Sequence, residues 1–487
     1  MFFRQIVEPK LSQYSYIIGC QQTKEAVVID PMRDIDRYIK IAADESLKIV
    51  AATETHIHAD YLSGLKEFAD RLNIQIMVSD EGTPDWKYEW VLNGNYNSKL
   101  LKNRDTFNIG NIKFEITHTP GHTPEHICFI VYDLLGGQGF PMGIISGDFV
   151  FVGDVGRPDL LESAAGIEDA MIPSAKELYE SLQKFKSLQN YLQLWPGHGA
   201  GSACGKALGA VPSSTVGYEI QFNPSIKEAT DKDKFVDYIL SGQPEPPMYF
   251  ARMKSENRTG PKYLGNLPIP LRLKSSSIDE VVKNDDAIII DTRNWEKYKS
   301  GHLQGSIFAP LDESFNTTVG SFITPAMSIY LLLEEDRVQE AVSALIRIGL
   351  DNIKGYLTDK DLNEFKSIGG KLLQSEDITT AQLKEILVDE NIFLFDVRRA
   401  SELEEVGFIN GAYNIAHTQL YNHLNEIPKG KKILVYCHSG DRSRYASSFL
   451  QTKGYQVSNV VGGIFNWLRN GEKVEKKRTS QYKYELK

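Results

Sequence analysis

The segment Thr55-His56-Ile57-His58-Ala59-Asp60-Tyr61 sets two imidazoles and a carboxylate at alternate positions. Alternation in an extended segment turns His56, His58 and Asp60 to one side. Three such groups converging on one point are the donor types of a metal site. Three further motifs carry the same donors: His118-Thr119-Pro120-Gly121-His122-Thr123, Gly147-Asp148 and Pro196-Gly197-His198-Gly199. A second kind of chemistry is written in Cys437-His438-Ser439-Gly440-Asp441-Arg442-Ser443, which follows an apolar run at 433–436 and opens a helical pattern. Inward N–H groups and a helix N-terminus stabilise a thiolate and the persulfide it accepts, and Arg442 adds a formal charge. Cys437 is therefore expected to be a nucleophile.

These groups need a frame. Residues 47–52 are an apolar run that reads as a buried strand, and 62–72 are apolar at helical spacing, so His56 to Asp60 lie on a strand-to-helix loop. Short strands are expected at 5–7, 14–18 and 26–29, the last ending at Asp30-Pro31, followed by a helix at 34–43. More strands are expected at 112–117, 125–132, 143–146 and 192–195, with a long amphipathic helix at 174–186. The metal-capable groups thus gather at strand ends, where α/β folds place their ligands, and the alternation predicts an α/β sandwich.

The stretch 241–270 holds six prolines and no periodicity, which puts a domain boundary there and makes 246–268 a linker after a first domain at 1–245. Beyond it the chain repeats itself. Asp291-Thr292-Arg293, Glu296 and Gly301-His302-Leu303-Gln304-Gly305 are answered by Asp396-Val397-Arg398, Glu402 and Gly407-Phe408-Ile409-Asn410-Gly411. Each copy continues into a strand and a helix, so two small α/β domains are expected, at 269–371 and 372–487. In the first copy Leu333 falls where Cys437 stands in the second, and Glu334, Glu335 and Asp336 fill the shortened loop. Three carboxylates and no thiol neither form a persulfide nor attract an anion, so this copy is expected to be inactive.

At 487 residues the chain is too long for one ordinary core. Its 41% apolar and 24% charged content are those of a soluble globular protein, and its net charge of −10 argues against nucleic-acid or membrane-surface partners. Cys20, Cys128, Cys204 and Cys437 are too scattered for a disulfide framework and suit a reducing, cytoplasmic location. Neither a signal peptide nor a membrane-spanning run is expected.

The pattern HxHxD, GHT, GD and PGH resembles the metallo-β-lactamase superfamily, which implies a four-layer αββα sandwich over about residues 1–240. In two-metal hydrolases of that superfamily, such as glyoxalase II-type thioesterases, the first motif ends in a further His, where this chain has Tyr61. The resemblance is closer to the persulfide dioxygenase branch, which the opening residues and Gly153-Asp154-Val155-Gly156-Arg157-Pro158-Asp159 also resemble. That branch implies one Fe(II) per chain, held by His56, His122 and Asp148, with His58, Asp60 and His198 in supporting roles. Two imidazoles and a carboxylate are the facial set of non-haem Fe(II) oxygenases. Arg157 either pairs with Asp154 or Asp159, or clamps a carboxylate and steers an anionic persulfide. Cys204 either carries or binds sulfur, or is a small buried hydrophobe.

The Cys437 loop resembles that of rhodanese sulfurtransferases, whose frame matches Asp396, Arg398, Glu402, Gly407, Gly411 and Ala412. Phe408 stands where that family usually has His, a structural position that the first copy keeps as His302. The order dioxygenase, inactive rhodanese-like domain, active rhodanese domain resembles sulfide-detoxifying fusion enzymes of Gram-positive bacteria. It implies oxidation of a low-molecular-weight thiol persulfide by O₂ to sulfite. Cys437 and Arg442 then make thiosulfate from that sulfite and a second persulfide. A homo-oligomer is expected from the inactive domain. The competing expectation is a glyoxalase II-like thioester hydrolase with an attached sulfur carrier.

Overall fold

The computed structural model of the protein describes residues 1–476 apart from 138 and 165. They form two compact units, one of Met1–Leu267 with Val342–Gly349, the other of Pro268–Ala341 and the described residues from Leu350 on. No helix among the described residues is long and apolar enough to cross a membrane.

The first unit holds two six-stranded sheets. One runs in sequence order: β1 (Phe2–Glu8), β2 (Gln13–Cys20), β3 (Glu25–Ile29), β4 (Lys48–Thr53), β5 (Gln75–Ser79) and β6 (Ser98–Leu101). The other comprises β7 (Thr106–Ile109), β8 (Ile112–His118), β9 (Ile127–Asp133), β10 (Pro141–Gly147), β11 (Gln193–Pro196) and β12 (Ser214–Thr215), again in order. Strand β9 shows why the layers stack. Its residues Ile127, Phe129 and Val131 join a core with Tyr16, Ile18, Val27 and Met77 of the first sheet. The alternate Cys128 and Ile130 pack on Ala175, Leu178 and Leu182 of the helix Met171–Phe185. A strand covered on both faces is apolar at both parities. The outer face of the first sheet packs in the same way on Ile35, Tyr38, Leu65 and Phe68, which completes an αββα sandwich.

Residues 246–268, expected as a linker, contain the helix Phe250–Thr259 within this first unit. Its buried residues are Phe250, Met253, Lys254 and Asn257, one face at i, i+3, i+4 and i+7. A four-residue stripe mixing Lys and Asn with apolar groups carries too weak a hydrophobic period to stand out between prolines.

The second unit holds two five-stranded parallel sheets. The first comprises β13 (Leu271–Arg272), β14 (Ala287–Asp291), β15 (Ser306–Phe308), β16 (Ser328–Leu332) and β17 (Ile353–Leu357), in spatial order β13-β17-β16-β14-β15. The second comprises β18 (Glu376–Ile378), β19 (Ile392–Asp396), β20 (Tyr413–Asn414), β21 (Lys432–Tyr436) and β22 (Gln456–Val460), in order β18-β22-β21-β19-β20. The two orders are the same topology, so the sequence repeat is a repeat of fold.

Candidate metal centre and thiol loop

Four strand ends deliver the metal donors. His56, His58, Asp60 and Tyr61 follow β4, His122 lies between β8 and β9, Asp148 follows β10 and His198 follows β11. His56, His122 and Asp148 are all buried, and one ligand atom from each lies within 4.8 Å of the others. Asp148 Oδ2 is 3.9 Å from His56 Nε2 and 3.7 Å from His122 Nε2. The opposite ring nitrogens are already occupied, His56 Nδ1 by Thr55 Oγ1 at 2.9 Å and His122 Nδ1 by the Arg157 carbonyl at 3.1 Å. Such bonds fix ring orientation and leave Nε2 free to ligate. Burial holds both imidazoles well below their ordinary pKa, hence neutral, which is the ligating form. Burial also pushes the Asp148 carboxyl up to about 6, and neither of its oxygens has a hydrogen-bond partner among the described residues. A buried carboxylate between two neutral imidazoles with free Nε2 atoms fits a bound divalent cation.

The HxHxD loop is held from below. Asp30, at the end of β3 with φ +53°, accepts from Thr55 N at 2.6 Å and bonds His58 Nε2 at 3.2 Å. Burial pushes His58 down, but the Asp30 bond and the nearby carboxylates prevail and hold it up to about 9. Tyr61 turns toward the same support. Its hydroxyl donates to the Asp30 carbonyl at 3.2 Å and accepts from Gln13 Nε2 at 3.1 Å. From the helix Phe250–Thr259, Asn257 Nδ2 donates to the His58 and Tyr61 carbonyls at 2.9 and 2.7 Å, and its Oδ1 accepts from Ser63 N at 2.9 Å. His126 Nε2 accepts from Asp148 N at 3.1 Å. Gly197 allows the close approach of β11's end to Asp148, since a Cβ there would sit 2.5 Å from Asp148 Oδ1. Neither Asn257 nor His126 was singled out by the sequence. The His of Pro-Glu-His after the GHT motif was the one available signal, and Asn257 had none.

The expected supporting residues form a second group. His198 Nε2 lies 3.5 Å from both Asp60 Oδ2 and Asp148 Oδ1, and one ligand atom each of Asp60, His198 and Cys204 lie within 4.8 Å of one another. Cys204 is buried, and burial, Asp60 and Asp148 together raise its thiol well above the usual range. A sulfur therefore stands beside the donors that the sequence comparison left one imidazole short. Of the two readings for Arg157, the geometry matches the ion pair. Its Nε and Nη2 donate to Asp159 at 3.1 and 2.6 Å, and its Nη1 to the Ala203 carbonyl at 2.8 Å. A fully buried guanidinium engaged in this way is a brace for the Cys204 loop and not an open carboxylate clamp.

In the second unit Cys437 follows β21 and is 1% exposed. Gly440 N donates to its Sγ at 3.1 Å, and Ser443 Oγ lies 3.5 Å away. The helix Asp441–Thr452 begins one residue after Gly440. Arg442 Nη1 and Nη2 donate to Glu402 at 2.5 and 2.7 Å, so a carboxylate from the Ala400–Val406 helix aims this cation. Gly463 closes the far side, where a Cβ would lie 2.2 Å from the Cys437 carbonyl oxygen. The equivalent of Cys437 in the first copy is Leu333, 3% exposed, and a 3₁₀ turn over Glu335–Arg337 replaces the loop.

The segments that carry the two sites each match a known family. The model of the metallo-beta-lactamase superfamily matches residues 9–198 and that of the rhodanese-like domain matches 379–470. A solved metallo-beta-lactamase from Staphylococcus aureus subsp. aureus COL is 40% identical, covering 74% of this chain and 99% of that one, with a TM-score of 0.66. The chain belongs to the metallo-β-lactamase superfamily. This superfamily member carries a rhodanese-like domain at its C-terminal end. The mitochondrial persulfide dioxygenase ETHE1 of Mus musculus is 26% identical over 41% of this chain and 68% of its own length. A beta-lactamase hydrolase-like protein of Xylella fastidiosa (strain 9a5c) is 25% identical over 53% of this chain, which spans 62% of that relative's length.

Proposed function

We propose that this superfamily member is a persulfide dioxygenase joined to a sulfurtransferase. The observation that carries the reading is the three-donor face of His56, His122 and Asp148 in one chain with a loop built around Cys437. The similarity to a persulfide dioxygenase supports it. His56 Nε2, His122 Nε2 and Asp148 would hold one Fe(II) per chain. Bound there, the iron would supply the means of joining O₂ to sulfur. Thr55 and the Arg157 carbonyl keep the two imidazoles aimed, and Asp30 and Asn257 keep the loop from shifting. The substrate class is a low-molecular-weight thiol persulfide, which with one O₂ and one water gives the free thiol, sulfite and two protons. O₂ takes the four electrons lost by the outer sulfur, and water supplies the third sulfite oxygen as the S–S bond breaks.

The rhodanese-like domain consumes that sulfite. Cys437 Sγ attacks the outer sulfur of a second persulfide, the S–S bond breaks, and the carrier leaves as its thiol with a proton. Sulfite then attacks the outer sulfur on Cys437, which leaves as thiolate, and thiosulfate is released. Arg442 and the Gly440 N–H face the anions of both steps. Residues 269–371 are an inactive copy of this domain in this reading. The whole serves sulfide detoxification in the cytoplasm as a homo-oligomer.

A second reading rests on the Asp60, His198 and Cys204 group: a two-metal hydrolase acting on thioesters, with Cys204 in place of the imidazole absent at Tyr61. Metal content and oxygen uptake separate the two. About one iron per chain, with O₂ consumed on a panel of glutathione, coenzyme A, bacillithiol and cysteine persulfides, supports the dioxygenase. Two zincs per chain with thioester cleavage and no O₂ uptake would refute it. Thiosulfate formation that survives Cys437→Ser would remove the role given to the last domain.

A further inference from the structure

One buried cation near the metal donors has no assigned work. Lys254 lies on the buried face of the helix Phe250–Thr259, one turn before Asn257, which is bonded to the carbonyls of His58 and Tyr61. Its residue is 5% exposed. Its Nζ has no hydrogen-bond partner among the described residues and stands 4.6 Å from the centre of the Trp86 ring. A buried ammonium left without an acceptor is costly, and a face over an aromatic ring recovers only part of that cost. Burial brings its pKa down to about 8, against the opposing pull of Glu125, Cys204 and Asp159. Burial depresses His56 and His122, and the Lys254 charge adds to that in both. Lys254 shares a buried helix face with Asn257, the residue bonded to the metal loop, and its ring partner Trp86 lies, with Glu125, beside Gly82. Glu125 Oε1 accepts from Ile57 N at 2.8 Å and its Oε2 is also unpartnered.

We propose that Lys254 is the anion-binding residue of the metal centre, and that it holds the negatively charged sulfur group of the substrate and of the sulfite formed from it. The identity of the anion rests on the persulfide reading above; the existence of an anion site does not. A compact ammonium, strongly hydrated when exposed, suits a small, multiply charged head that takes the place of its hydration shell. Asn257 and Lys254 then divide the work of one helix face, the amide holding the loop and the ammonium holding what the loop's donors act on.

The test uses the full chain under anaerobic conditions, with sulfite as the probe in a calorimetric titration. The forms compared are wild type, Lys254→Met, Lys254→Gln and Lys254→Arg, matched for bound metal. Sulfite affinity is expected to fall at least tenfold in the Met and Gln variants and to recover most of that in Arg. The melting temperature of Lys254→Met should equal or exceed that of the wild type, because an unpaired buried charge is gone. With persulfide and O₂, the KM of the Met variant should rise by a similar factor. Unchanged sulfite affinity in both Met and Gln, or no sulfite binding by the wild type, would overturn the proposal. So would a lower melting temperature in both variants with affinity retained, which would make Lys254 a packing residue. If no form oxidises any persulfide but sulfite binding still depends on Lys254, the dioxygenase reading fails and the anion site stands. If persulfide oxidation proceeds with KM and sulfite affinity unchanged in the variants, the anion site fails and the dioxygenase reading stands.

Discussion

Asn257 is the sharpest place to test how the metal loop is held. Its side chain makes three buried hydrogen bonds to the segment that follows His56, two as donor to the His58 and Tyr61 carbonyls and one as acceptor from Ser63 N. Asn257→Ala leaves two carbonyls and one N–H without partners. Each lost bond is worth about 1 kcal/mol net, and each buried group left unsatisfied costs about 1–3 kcal/mol. Water entering the vacated space recovers some of this, so the expected loss is about 3–5 kcal/mol. At about 2–4 °C per kcal/mol for a unit of this size, the melting temperature should drop by roughly 6–20 °C. Metal affinity should weaken by about 10–100-fold, the usual effect of losing an outer partner of a ligand loop. Asn257→Asp is the control. It keeps the acceptor for Ser63 N but sets a carboxylate against two carbonyls, so it should be worse than Ala. Calorimetric unfolding and competition for metal with a chromogenic chelator read both quantities. A wild-type melting temperature and metal affinity in Asn257→Ala, or an Asp variant as stable as wild type, would refute the reasoning.

Other substitutions probe the remaining parts. Asp148→Asn removes the charge that faces both His56 and His122 at 3.9 and 3.7 Å, and metal content by mass spectrometry should fall from about one per chain to a small fraction, with secondary structure unchanged. Glu402→Gln weakens the two charge-assisted bonds that aim Arg442; at about 1.5–3 kcal/mol for such bonds, thiosulfate formation should slow by roughly 10–100-fold, while O₂ uptake is retained. The same pair sets an acid limit. Burial pushes Glu402 up, but the Arg442 bonds prevail and hold it below the usual carboxylate range, so its stabilising contribution is present above about pH 4.3 and is lost as pH falls through the lower folded value. Gly463→Ala places a Cβ 2.2 Å from the Cys437 carbonyl at a φ of +52°, and should abolish sulfur transfer with O₂ uptake unchanged.

Much of the metal centre was legible because its donors are local. His56 and Asp60 lie two residues either side of His58, and the remaining donors follow apolar strands, so type and spacing were enough to gather these residues as metal-capable groups. The choice of His56, His122 and Asp148 among them came from the family resemblance. The rest depends on contacts far apart in the chain. Asp30 supports His58 across 28 positions and Asn257 supports Tyr61 across 196, and no local pattern marks such partners. Lys254 and Asn257 were hidden further because prolines on both sides made their helix read as linker. Arg157 was ambiguous for another reason: a motif with an acid on either side offers two ion pairs and one open clamp. Only geometry shows Asp159 taking two of its donors while Asp154 Oδ2 accepts from Lys206 N and Ala207 N.

The two copies of the second unit separate frame from chemistry. In each, an aspartate at the end of the second strand in chain order is held by the arginine two residues on. Arg293 donates to Asp291 and to the Gly301 carbonyl, and Arg398 donates to Asp396 and to the Gly407 carbonyl. The residue after that glycine forms a two-bond bridge to a later segment in both, His302 with Leu373 and Phe408 with Glu475. These bridges run through backbone atoms, so either side chain serves, and the loss of His at 408 touches the frame alone. What differs is the turn after the fourth strand in chain order. There Cys437 accepts a hydrogen bond from Gly440 N, beside an arginine aimed by Glu402, while Leu333 is buried ahead of Glu334, Glu335 and Asp336. Buried ion pairs of this kind are strongly destabilising to break but carry no reactivity. The same strand order therefore stands with or without the thiol, since no atom of the Asp–Arg frame belongs to the Cys437 loop.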